Sequence, residues 1–68
     1  MNIALLKTER VKRGVTQEAI AKHLGYKDKS SYCLIEKGRI AVSTDTASKI
    51  VAFLKLPDDV AYEIFFKS

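Results

Sequence analysis

The sequence has one cysteine, one histidine, one proline and three glycines, and the two scarcest reactive residues already exclude several classes of function. A single thiol, Cys33, closes no intrachain disulfide and offers no metal-ligand spacing, which suits a reducing compartment. His23 has no cysteine or histidine partner at ligand spacing, so no metal is expected. There is no Ser-His-Asp or Cys-His set and no phosphate-binding loop. A chain of 68 residues does not readily enclose a substrate pocket of several hundred Å3, on the order expected for a small-molecule site. Catalytic residues, cofactors and a small-molecule ligand are therefore not expected. No stretch approaches the roughly 20 apolar residues that span a bilayer, and Met1–Lys7 lacks the apolar run of a signal peptide. The expected setting is cytoplasmic, without a membrane. Repeats, low-complexity segments and linkers are also missing, so one domain is expected over 1–68. No segment alternates apolar and polar residues between turn signals, which argues against a sheet.

What is present is an ordinary globular composition, 47% apolar and 29% charged, which argues against disorder. The net charge of +4 is unevenly distributed. Up to Arg39, nine bases face four acids for an excess of +5, whereas the remainder carries −1. A basic excess confined to the first part of a chain is expected where that part meets a polyanion.

Helical signals recur along the whole length and predict an all-α fold of five short helices. Ile3, Leu6 and Arg10 fall at helical spacing and Gly14 ends that run, which predicts a first helix from about Ile3 to Arg13. Thr16 is a good N-cap for a second helix, with Gln17 and Glu18 in its first turn. Ile20, Ala21 and Leu24 form its inner face and Gly25 stops it. After Gly25-Tyr26-Lys27, Asp28 is placed to cap a third helix running to Glu36, with Tyr32 and Ile35 facing the core. Gly38 ends it. A fourth helix begins after Ser43 and runs to about Leu54, burying Ala47, Ile50, Val51 and Leu54. Ser43 and Thr44 serve it mainly as caps. Pro57 suits a helix start, and a fifth helix follows from about Asp58 to Phe66, with Asp58 and Asp59 at its positive end.

Two short helices joined by a tight glycine-containing turn, over about residues 16–37, form a helix-turn-helix unit. The ordered set Arg10, Thr16-Gln17-Glu18-Ala19-Ile20-Ala21, Leu24-Gly25, Ile35-Glu36-Lys37-Gly38 and Ser43 resembles the Cro/C1-type helix-turn-helix family of phage and bacterial repressors. The resemblance covers nearly the whole chain. It implies a compact five-helix lambda-repressor-like domain that reads double-stranded operator DNA as a homodimer, its second helix-turn-helix helix lying in the major groove. The chain departs from the family pattern once, carrying two residues, Tyr26 and Lys27, where members usually have one between the turn glycine and the N-cap. The docking angle of the third helix therefore does not carry over unaltered.

Each candidate residue follows from one of these two readings. With Tyr32 and Ile35 in the core, Lys29, Ser30, Cys33 and Leu34 are left facing outward as base readers. Lysine donates to guanine, serine pairs with several base edges, and Leu34 can pack on a thymine methyl. Lys27, Lys37 and Arg39 flank that helix as phosphate clamps. The resemblance implies that Gln17 hydrogen-bonds a phosphate and that Arg10 and Glu36 form a buried ion pair. In the fifth helix Val60 and Ile64 share one face while Tyr62 and Phe66 share another, so part of its apolar surface is available to a second partner. Together with the resemblance this predicts a dimer contact through Pro57, Tyr62, Phe65 and Phe66. The implied function is a Cro-like repressor acting on the nucleoid. A protein-interaction module that keeps the fold without strong DNA binding, antirepressor- or antitoxin-like, is the other reading of the same residues.

Overall fold

The computed structural model describes residues 1–67. Five helices follow one another, α1 (Ile3–Lys12), α2 (Gln17–His23), α3 (Lys29–Glu36), α4 (Thr44–Leu54) and α5 (Asp58–Phe65), with no strand among the described residues. The fold is all-α.

The first four helices start where a polar side chain satisfies a free amide. Asn2 accepts from Leu5 N at 3.0 Å, Thr16 from Ala19 N at 3.0 Å, Asp28 from Ser30 N at 2.9 Å and Ser43 from Thr46 N at 3.1 Å. α5 has Pro57 at this position, with no side-chain cap. Two acids in its first turn compensate electrostatically.

The ends of the first four helices share one device. At Gly14, Gly25, Gly38 and Lys55 the backbone turns left-handed, and paired hydrogen bonds close the last turn. In α2 these run from Gly25 N to Lys22 O at 3.1 Å and from Tyr26 N to Ala21 O at 3.0 Å, the pattern of a Schellman motif. All three glycines of the chain are used this way; α4 ends instead on Lys55, at φ 56°.

The core lies where all five helices converge. Leu6 of α1, Ile20 and Ala21 of α2, Tyr32 and Ile35 of α3, Ile50 and Leu54 of α4, and Ala61 and Ile64 of α5 are buried in one cluster with Leu56. Ala21 is small where α2 meets α3, the most extensively packed pair of helices. The N-terminus is fastened to the other end of the chain by Asn2 N donating to Ile64 O at 2.7 Å.

The boundaries differ from expectation by single residues. α1 ends at Lys12 and α5 at Phe65, with Arg13 and Phe66 as C-caps, because the closing hydrogen bonds take the last residue of each expected helix out of helical geometry. Val51 is half-buried rather than buried. It lies beside the core and also lines an open depression between α4 and α5. The longer turn before α3 is absorbed by Tyr26, whose half-buried ring packs against the core while Lys27 stays exposed.

Candidate nucleic-acid interface

The outward surface of α3 is set by its inward one. Tyr32 and Ile35 are buried and hold the helix against α1 and α2. Lys29 and Ser30 are then exposed in its first turn, and Leu34 is 40% exposed one turn on. Ser31 and Cys33 are half-buried on the flanks. Leu34 is not among the hydrophobic side chains packed on the core cluster.

The charges around α3 divide into compensated and uncompensated groups. Arg10 is taken by Glu36, and Arg13 by Glu9. Lys27, Lys29, Lys37 and Arg39 are all exposed and have no ion partner among the described residues. Lys27 and Lys29 stand at the start of α3, Lys37 and Arg39 just past its end. The two ends are thus cationic and the face between them is polar to apolar. An open depression lies beside its first turn, lined by Arg10, Thr16, Gln17, Glu18 and Lys29.

Behind this surface one carboxylate joins three helices. Glu36 Oε2 accepts from Arg10 Nε at 2.6 Å, and Oε1 accepts from Arg10 Nη2 at 3.2 Å and from Gln17 Nε2 at 3.0 Å. Arg10 Nη1 donates in addition to Val15 O at 2.7 Å, which fixes the loop between α1 and α2. Both partners of the ion pair are buried, with side-chain exposures of 8% and 4%. Burial pushes the Glu36 carboxyl up, but the bonds from Arg10 and Gln17, the nearby Tyr32 hydroxyl and the charge of Arg10 outweigh it and hold the group below its ordinary range. The Tyr32 hydroxyl is buried beside them without a partner in good hydrogen-bonding geometry. Burial first, and then the Glu36 carboxylate, push its pKa far above the ordinary phenol value, so it stays protonated.

Gln17 stands differently from a simple exposed polar residue. Its side chain is half-buried and turned toward α3, donating to Glu36 and accepting from Cys33 Sγ at 2.9 Å. Cys33 and Glu36 are three residues apart and so share one flank of α3. That spacing was a readable signal that both face a common neighbour; nothing in the sequence named Gln17 as that neighbour. His23, which has no metal-binding partners, stacks on Phe53 of α4 with ring centroids 4.2 Å apart. No group of three or more potential metal-ligating side chains occurs among the described residues.

On α5 and at its C-cap, Tyr62 and Phe66 are 57% and 59% exposed. Pro57 is exposed as well, while Phe65 is half-buried against the core and meets Phe66 edge-on at 6.4 Å.

A family model for the helix-turn-helix domain matches residues 4–63. The chain belongs to the helix-turn-helix domain family. The match runs from α1 into α5, so in this helix-turn-helix domain the central unit, α2, the turn and α3, carries flanking helices on both sides. This family is one of DNA-binding modules, and α3 occupies the position of the helix that follows the turn. No curated protein and no solved structure was matched by the chain. No helix among the described residues is long and apolar enough to cross a membrane.

Proposed function

We propose that this helix-turn-helix protein is a sequence-specific transcriptional regulator, a Cro-like repressor that binds a palindromic operator as a homodimer. The observation that carries this reading is the exposed face of α3. Ser30 and Leu34 are presented between two pairs of cations, Lys27 with Lys29 and Lys37 with Arg39, none with an ion partner among the described residues. A helix of about 10–12 Å diameter with its side chains fits a major groove about 12 Å wide. In this reading Lys29, Ser30, Cys33 and Leu34 meet base edges, and Gln17, Lys27, Lys37 and Arg39 meet phosphates. Repression follows from occupying the operator against polymerase.

The homodimer is assigned to Pro57, Tyr62, Phe65 and Phe66, supported by the exposure of Tyr62 on α5 and of Phe66 at its C-cap. A two-fold dimer sets its two recognition helices about 34 Å apart, one turn of DNA, which is why the operator is expected to be palindromic. Selection of bound sequences from random DNA, followed by titration of the selected site at several salt concentrations, tests the reading. The expected result is a palindromic consensus bound with a steep loss of affinity as salt rises. Failure to enrich any sequence, together with binding that ignores salt, removes it in favour of a protein-interaction module.

A further inference from the structure

The half-buried Cys33 has two neighbours to choose from: the groove in front of α3 and Gln17 behind its flank. The hydrogen-bond polarity decides between them. Glu36 is a carboxylate held by two bonds from Arg10, and an ionised carboxylate only accepts. The amide of Gln17 must therefore turn its Nε2 toward Glu36, as it does at 3.0 Å. That orientation leaves Gln17 Oε1 facing Cys33, which needs a donor there, and the thiol supplies one at 2.9 Å. Each member of the chain Arg10, Glu36, Gln17 and Cys33 thus has its donor or acceptor role fixed by the one before it. Gln17 Nε2 carries two hydrogens; one goes to Glu36, and the other has no partner among the described residues. Gln17 also lines the open depression beside Lys29.

We propose that Cys33 is a positioning residue: its thiol pins the Gln17 amide so that the second N–H is presented to a DNA phosphate alongside Lys29. This rests on the DNA-binding reading above and reassigns Cys33 from reading bases to orienting a phosphate contact. A thiol is a weak donor, but here it has only to prevent rotation of an amide already held at one end. Cysteine at this position joins α2 to α3 without adding bulk to the groove-facing side.

Operator affinity of Cys33→Ala, Cys33→Ser, Gln17→Ala and the Cys33→Ala/Gln17→Ala double variant, with Gln17 side-chain amide exchange followed by 15N NMR, tests the proposal. Cys33→Ala is expected to weaken binding about three- to fivefold, the scale of one modest hydrogen bond, equally for all operator sequences. Cys33→Ser, which keeps a donor, is expected to recover most of the loss. In the Gln17→Ala background the Cys33 effect should vanish, because the two act as a unit. In NMR, Cys33→Ala should speed exchange of the Gln17 side-chain amide protons in the free protein. A Cys33→Ala effect that persists without Gln17, or that alters preference at one base pair, overturns the proposal in favour of direct base contact. Unchanged affinity in Cys33→Ala overturns it outright. If the unaltered chain binds no DNA, the functional reading fails and this proposal with it, while the exchange measurement still reports whether the thiol holds the amide.

Discussion

Glu36 shows how much of this molecule rests on one side chain. Its carboxylate receives Arg10 from α1 and Gln17 from α2 while standing at the end of α3. Removing either charge of a buried pair strands the other and costs about 3–5 kcal/mol. A domain of this size has only about 3–10 kcal/mol of stability in total. Arg10→Met or Glu36→Met alone is therefore expected to remove a large part of that stability. The Arg10→Met/Glu36→Met double variant is expected to lie much closer to the unaltered protein, since apolar replacement of both charges removes the stranded one; urea denaturation of all three checks this. The pH dependence has a definite sign. The folded carboxyl sits below its ordinary value of 4.5, so its stabilising contribution is complete above that value and is lost as pH falls through the lower folded value. The acid limb of stability should accordingly be shallower in the double variant. Among the exposed cations, Lys29→Ala is expected to relax preference at one operator position, whereas Lys37→Ala should weaken all sequences alike and reduce the salt slope by about 1. Residue identity made Arg10 and Glu36 legible as partners through the resemblance. The partnership of Gln17 and Cys33 was not legible, because it depends on the crossing of α2 over α3, which no local pattern encodes.

The elements were readable because their ends are written in single residues. Thr16, Asp28 and Ser43 cap helices where the sequence placed them, since a short side-chain oxygen before an apolar-periodic run has few other uses. Gly14, Gly25 and Gly38 mark left-handed turns for a similar reason. α4 breaks the rule, ending on Lys55 at φ 56°, where a non-glycine residue costs roughly 1–2 kcal/mol. Lys55→Gly is expected to raise stability by about 0.5–1 kcal/mol, the gain being offset in part by the greater entropy of glycine in the unfolded chain; thermal melts measure it. The reverse change at Gly38 should be harmful on two counts. A Cβ there would adopt φ +71° and would also stand 2.8 Å from Ile3 Cδ1. Gly38→Ala is expected to cost about 1–2 kcal/mol from the backbone alone, with the Ile3 side chain displaced. The single-residue shifts at the ends of α1 and α5 are of a kind that periodicity does not resolve, because closing turns remove the last residue from the helix.

At the scale of the whole molecule, the exposed cations flanking the third helix and the exposed aromatic rings of the fifth belong to different elements. Four exposed cations without an ion partner among the described residues, Lys27, Lys29, Lys37 and Arg39, flank α3, while Tyr62 of α5 and Phe66 at its C-cap are exposed. Phe66→Glu is expected to leave unfolding within about 0.5 kcal/mol of the unaltered protein, because the side chain is exposed. The same change should weaken self-association and operator binding together, measured by sedimentation and titration; a Phe66→Glu protein that self-associates as before removes the α5 dimer contact. The sequence by itself determined the number and order of the helices, their caps, the inward faces of α2 and α3 and the bias of charge toward the first part of the chain. All of these depend on residue type and short-range spacing. Only the tertiary structure decided which polar side chains meet across helices: Gln17 on Glu36 and Cys33, His23 on Phe53, and Tyr26 folded back onto the core. Such contacts depend on crossing angles set by the packing of the whole core. For that reason the helix-turn-helix is visible along the chain, while the polar joint that steadies its outer face emerges only when the chain is folded.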